Sequence, residues 1–198
     1  TLNLIGRKHT VEQTVEAFRM ARKIGFDNIN MDLIIGLPGE DENDFSDTLR
    51  QIKELNPDSL TIHSLVVKRA SRLRSVLDEE EKKNACKTDG ALSENDKAAV
   101  MEKMLEIGQR FAKSEGYEPY YMYRQKNMVG NMENLGYSRK GAECIYNIEM
   151  IEDKQTIIAL GADAVSKVVF LDENRIERFA NIKDVREYVS RIEEMIEG

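Results

Sequence analysis

The residues Asn28-Ile29-Asn30-Met31-Asp32-Leu33-Ile34-Ile35 read as a strand with one polar and one apolar face. Ile29, Met31, Leu33 and Ile35 take one side, while Asn28, Asn30 and Asp32 share the other with Ile34. Parallel strands covered on both faces are normally apolar throughout, and a carboxylate buried without a partner is protonated or paired rather than left charged. Asp32 is therefore expected to face a ligand cavity near the C-terminal end of the strand, where barrels of this kind gather their sites. The plain alternative is an edge strand with Asn30 and Asp32 in water. Arg7 lies three residues before a helix cap at Thr10. It would sit on the same rim if a strand ends just upstream, and its guanidinium suits a carboxylate partner.

Other candidate groups are less specific. Gly36-Leu37-Pro38-Gly39-Glu40 could present backbone N–H groups to a ligand or could simply turn the chain. It lacks the Gly-x-Gly-x-x-Gly spacing or Gly-Lys-Ser ending of a nucleotide-phosphate cradle. His9 and His63 are the only histidines and are too far apart in sequence to suggest a metal site. His63 alternates with Thr61 and Leu65 and reads as a satisfied structural histidine. The run Tyr120-Tyr121-Met122-Tyr123-Arg124-Gln125-Lys126-Asn127 is either a grip on a flat acidic ligand, such as a porphyrin bearing propionates, or a strand end with snorkelling Arg and Lys. Gly161 to Lys167 sets small residues where backbone passes close to something, with Asp163 available for a turn or a strained φ. The nine methionines fall mostly at packing positions rather than in a metal box.

The elements that must hold these groups follow from periodicity. Thr10 and Gln13 form a capping box for a helix from Val11 to Ile24, stopped by Gly25. After the strand, Phe45, Leu49, Ile52 and Leu55 mark a second helix that Asn56-Pro57 ends, ahead of a strand from Ser59 to Val67. Helix, strand, helix, strand at this spacing predicts a parallel sheet with helices outside. A charged loop covers 78–92, and Ser93 with Asp96 caps a helix carrying Val100, Met104, Ile107 and Phe111 inward as far as Gly116. Tyr117 to Tyr123 is a further strand, followed by an Asn- and Gly-rich stretch from Lys126 to Gly141. Thr156–Leu160 and Ala164–Phe170 are expected to pair, and a turn at Asp172-Glu173-Asn174 leads into a short strand ending near Phe179. A last helix is capped by Asn181 and buries Val185, Tyr188, Val189, Ile192 and Ile196.

Composition narrows the class. The 198 residues carry a formal charge of −7, and the basic patch that nucleic-acid or anionic-membrane binding requires is missing. No apolar run approaches the roughly 20 residues of a membrane span, and the first residues lack the build of a signal peptide, so a cytoplasmic chain is expected. Cys86 and Cys144, 58 positions apart, cannot assemble a disulfide framework or a metal-ligand cluster. The chain opens just before a helix, without an initiator Met. A full barrel needs roughly eight strands and 250 residues, so a piece from the C-terminal half of a larger protein is expected.

Ile5-Gly6-Arg7-Lys8-His9-Thr10, Ile29 to Gly39 and Leu55-Asn56-Pro57-Asp58 resemble the oxygen-independent coproporphyrinogen III oxidase family of radical S-adenosylmethionine (SAM) proteins. Tyr123 to Tyr137, Cys144 to Glu149 and Gly161 to Lys167 resemble its HemZ-type coproporphyrinogen dehydrogenase branch. The resemblance covers nearly the whole chain. It implies an α/β fold, the C-terminal portion of a partial TIM-like (β/α)6 barrel plus an α+β extension, divided as barrel units over 1–77, the loop 78–92 and the extension 93–198. It also implies SAM and a [4Fe–4S] cluster held by a Cys-x-x-x-Cys-x-x-Cys loop, with propionates of a tetrapyrrole decarboxylated to vinyl groups. Carried over by position, Arg7 and Asp32 match side-chain contacts to SAM, and Val66 and Val165 match positions touching it by backbone or packing. Asp163 stands where the family pattern leads one to expect Gly or Ser. No cluster motif is present, so the chain alone is expected to bind no cluster and to be inactive, its partner being the missing N-terminal half of the same protein. Two other readings are a haem chaperone of the same superfamily and a barrel fragment serving as an interaction module.

Overall fold

The computed structural model describes residues 1–66, 94–123 and 133–197. The expected loop at 78–92, the Ser93 cap and Arg124 to Asn127 lie outside the described residues. Contacts divide the chain into two compact units, Thr1–Glu143 and Cys144–Gly198. The first unit runs across the division expected around 78–92, because strands from both sides of it join one sheet.

In the first unit, helix α1 (Val11–Ile24) starts on the expected box, with Gln13 N–H donating to Thr10 Oγ1 and Thr10 N–H donating to Gln13 Oε1. It ends at Gly25, whose φ of 111° is left-handed. Strand β1 (Asn30–Ile35) is followed by a turn in which Glu40 N–H donates to Leu37 O across Pro38 and Gly39. Helix α2 (Glu42–Leu55) is capped by Asp41 and stopped by Asn56, left-handed at φ 52°. Strand β2 (Ser59–Ser64) ends before the expected Val67. Helix α3 (Glu94–Ser114) is followed by a turn with Gly116 at φ 78° and then by strand β3 (Glu118–Tyr123). The Asn- and Gly-rich stretch contains an unexpected strand, β4 (Asn134–Ser138).

The sheet order is β1-β2-β4-β3. β1 and β2 are parallel, as a strand–helix–strand unit requires, whereas β4 is antiparallel to both β2 and β3. The parallel pairing expected of the strand–helix–strand run holds, and β4, which the sequence did not reveal, adds an antiparallel ladder on the other side of β2. Helices α2 and α3 pack on one face, where Leu33, Ile35, Phe45, Leu49, Ile52, Leu60, Ile62 and Met104 form the core. Burying each such side chain contributes about 1.5–3 kcal/mol. Gly108 of α3 permits the close approach, since a Cβ there would stand 2.5 Å from Ile62 Cδ1.

The second unit contains helix α4 (Ile145–Glu152), which the sequence reading had no strong periodicity to find, and a hairpin of β5 (Val165–Phe170) and β6 (Arg175–Ala180). The ladder partner of β5 is β6, while Thr156–Leu160 forms no strand and pairs with β5 through an antiparallel Ile157–Lys167 bridge and side-chain bonds at Thr156 and Ser166. Asp163 is left-handed at φ 62°, matching the strained turn expected of it. Asn181 does not cap the last helix. Its amide donates to Ala159 O and Gly161 O, and Asp184 caps a helix that breaks at Arg191 into α5 (Val185–Ser190) and α6 (Ile192–Glu197). The expected buried stripe is corrected too, since Val185, Val189 and Ile196 are exposed. This unit is held by a buried cation: Lys167 Nζ donates to Glu149 O, Met150 O and, at 2.7 Å, Asp153 Oδ1, tying the end of α4 to β5.

Lys167 holds Asp153 below the ordinary aspartate value of 3.8. The carboxylate's contribution is therefore present above that value and fades as pH falls through the lower folded-state value. Lys167→Ala should lower unfolding free energy by about 2 kcal/mol in urea titrations, the loss expected for hydrogen bonds to a charged group. Asp153→Asn should destabilise at neutral pH and lose its effect in strong acid.

Candidate functional site

The parallel register sets Asp32 beside Thr61 and Ile34 beside His63. Since strand side chains alternate, Asn30 and Asp32 rise with Thr61 and His63 on the face opposite the helices. On β4, Gly136 pairs with Thr61 on one side and with Tyr121 of β3 on the other. A Cβ at Gly136 would collide with the Tyr121 ring, so the glycine lets that ring cross β4. The crossing brings Tyr121 OH to 3.3 Å from Thr61 Oγ1. Tyr123 stacks on Tyr121 with centroids 6.0 Å apart, and its hydroxyl is 3.0 Å from His63 Nδ1.

A hydrogen-bonded chain and an ion-pair contact converge on one carboxyl oxygen. Tyr121 OH donates to Thr61 Oγ1, Thr61 OH donates to Asn30 Oδ1 at 3.4 Å, and Asn30 Nδ2 donates to Asp32 Oδ1 at 2.7 Å. Beyond Tyr123, His63 Nε2 stands 3.6 Å from that same Oδ1, within ion-pair reach. The His63 imidazole holds the Asp32 carboxyl below its usual value against the opposing effect of partial burial, with Asn30 and Thr61 adding to the lowering. A charged acceptor with one oxygen anchored can take hydrogen bonds from hydroxyl or amino groups of a ligand.

Of the expected site residues, Asp32 lies on this polar face, but its side chain is 62% exposed and β1 is an edge of the described sheet. Asp32 therefore stands on an open face of this sheet and is not buried without a partner. Val66 is half-buried just past β2, following Leu65, whose N–H donates to Ile35 O at the end of β1. Arg7 is exposed after a turn in which its N–H donates to Leu2 O, and no hydrogen bond or ion pair joins it to Asp32. Val165 opens β5 in the second unit and is 48% exposed. Sequence reasoning assigned no site role to Thr61, His63 and Gly136, and named Tyr121 only within the run that could grip a flat acidic ligand. The available signal was the spacing Thr61-x-His63, which repeats Asn30-x-Asp32 on the neighbouring strand. No helix among the described residues is long and apolar enough to cross a membrane.

A Radical SAM superfamily profile matches residues 1–52. The chain is 46% identical over 193 residues to the oxygen-independent coproporphyrinogen-III oxidase-like protein HemZ of Bacillus subtilis, across 98% of this chain and 36% of that protein. The chain belongs to the HemN-like radical SAM family, in its HemZ-type branch. It is also 25% identical over 188 residues to the heme chaperone HemW of Escherichia coli, covering 95% of this chain and 42% of that one. Its fold matches coproporphyrinogen III oxidase (HemN) from Escherichia coli, a radical SAM enzyme, with a TM-score of 0.59 at 19% identity over 98% of this chain and 40% of that one. The chain thus spans well under half the length of these relatives, and its fold is the α/β type expected.

Gly136→Ala should force Tyr121 off β4 and destabilise the first unit by about 1–3 kcal/mol, measured by urea unfolding. Tyr121→Phe, which keeps the ring and loses only the Thr61 bond, should cost about 1 kcal/mol. In a carboxyl-carbon NMR titration, Asp32 should titrate below 3.8 and move back toward it in His63→Ala.

Proposed function

We propose that this chain forms the last barrel units and the C-terminal extension of a radical SAM enzyme that decarboxylates coproporphyrinogen III propionates to vinyl groups, giving protoporphyrinogen IX. The observation that carries the reading is 46% identity, sustained over 98% of the chain, to a protein described as coproporphyrinogen-III oxidase-like. The exposed, anchored carboxylate of Asp32 suits it, because such a group binds donors of a polar ligand without first being freed from a partner. SAM, when bound, supplies the hydrogen-abstracting radical chemistry of the superfamily.

Within that reading, Asp32 accepts from donor groups of SAM and Arg7 offers a guanidinium to a ligand carboxylate. Val66 contributes backbone or packing contact at the end of β2, and Val165 is assigned such a contact by the family likeness alone. The polar face fits SAM in its donor and acceptor character. The chain's own thiols do not fit the iron–sulfur cluster: two cysteines 58 positions apart cannot supply a Cys-x-x-x-Cys-x-x-Cys loop. The cluster ligands are assigned to sequence outside this chain, and catalysis requires both parts.

A haem-chaperone role is the second reading, supported by the HemW relatives that align along nearly the whole chain. The complete protein, with its cluster reconstituted and with SAM and a reductant under anaerobic conditions, should remove two carbon dioxide units from coproporphyrinogen III, followed by mass. Asp32→Ala and Arg7→Ala should each weaken SAM binding about tenfold or more, the scale of a lost charged hydrogen bond. SAM cleavage without mass loss, accompanied by stoichiometric haem binding, would favour the chaperone instead.

A further inference from the structure

We infer that His63, held by Tyr123, is a positioning residue that fixes the Asp32 carboxylate for ligand binding. The inference rests on the reading of Asp32 as a SAM contact and extends it to groups on two other strands. Three observations carry it. His63 Nδ1 is 3.0 Å from the Tyr123 hydroxyl and Nε2 is 3.6 Å from Asp32 Oδ1, so the ring bridges the two. The His63 side chain is only 24% exposed while Asp32 is 62% exposed, so the imidazole is the enclosed member of the pair and the carboxylate its outward end. The Tyr123 ring is itself stacked in parallel on Tyr121, which crosses Gly136 to reach Thr61.

In a neutral imidazole the direction of the Tyr123 bond decides the tautomer. A neutral imidazole has one N–H, and if Nδ1 carried it, the bare Nε2 lone pair would face a carboxylate oxygen. With the Tyr123 hydroxyl donating to Nδ1, the proton sits on Nε2 and points at Asp32. Tyr123 thereby selects the form of His63 that attracts the carboxylate, and Asn30 restrains the same oxygen from the other side. The second oxygen, Oδ2, takes no bond from this network and is the one left for a ligand. Holding a carboxylate in one rotamer before binding reduces the ordering cost that binding would otherwise carry.

The test measures SAM affinity by calorimetry on the complete protein, together with ring-nitrogen NMR of His63 in this chain. Wild type should show the Nε2–H tautomer. Tyr123→Phe should mix the tautomers and weaken SAM binding about threefold to tenfold, the range for one hydrogen bond. His63→Ala should do the same, and His63→Gln, whose amide can donate from the position of Nε2, should recover most of the affinity. Combined with Asp32→Asn, neither change should add its full effect. Unchanged SAM affinity in Tyr123→Phe and His63→Ala, with Asp32→Asn still impaired, would overturn the positioning role and leave the SAM site standing. Unchanged affinity in Asp32→Asn would remove the SAM reading and this inference with it. An Nδ1–H tautomer in wild type would overturn the positioning role by itself.

Discussion

Backbone pairing sets Asp32, Thr61, Gly136 and Tyr121 in one row across four strands, and the polar face depends on that alignment. A slip of one residue of β1 in its ladder with β2 would turn Asn30 and Asp32 into the helix-covered core and turn Leu33 and Ile35 outward. The register is held by that same core: Ile35, Leu60, Ile62 and Met104 are all but fully buried, so a slip would cost far more than a hydrogen bond. The apolar face therefore specifies where the polar groups stand, although it contributes none of the chemistry. Within the row, Gly136 is the residue whose lack of a side chain matters most, because a tyrosine from the far edge can then reach the second strand.

The strand–helix–strand core was legible because its signals are local. Thr10 and Gln13 cap each other, Gly25 and Asn56 take left-handed stops, and the apolar stripe of α2 keeps its spacing. β4 was hidden because Asn134 and Gly136 look like loop residues, and their use appears only across the sheet: Asn134 Oδ1 accepts from Ser64 N–H, and Gly136 lies beneath Tyr121. The last helix was misread for a related reason. Asn181 is a good cap by type, yet its amide is taken by Ala159 and Gly161 carbonyls, and Asp184 three residues on accepts the first helical N–H groups instead. Local propensity names the residues able to do a job, and tertiary partners choose among them.

The site was legible in the same partial way. Asp32 stands out in sequence as the one charge on a strand with a polar and an apolar face. His63 did not, since a single histidine on a strand gives no sign of what faces it. Its role emerges from two ladder steps and the turn of β3 that brings Tyr123 alongside. Arg7 was reached from its place before the Thr10 cap and again through family likeness, Val165 through likeness alone, and no hydrogen bond or ion pair joins Arg7 to Asp32.

The exposure of Asp32 fits a surface that is one part of a larger site. A carboxylate wholly satisfied by its own chain would have to shed partners before taking a ligand, whereas one held on a single oxygen keeps the other ready at little cost. Such an arrangement is useful where the reactive chemistry comes from cofactors gripped elsewhere, because positioning is then what this portion of the protein has to offer. On the proposed reading the two cysteines agree with that division of labour: Asp32 and its supporting row orient the ligand, and thiols 58 positions apart do not form a Cys-x-x-x-Cys-x-x-Cys loop.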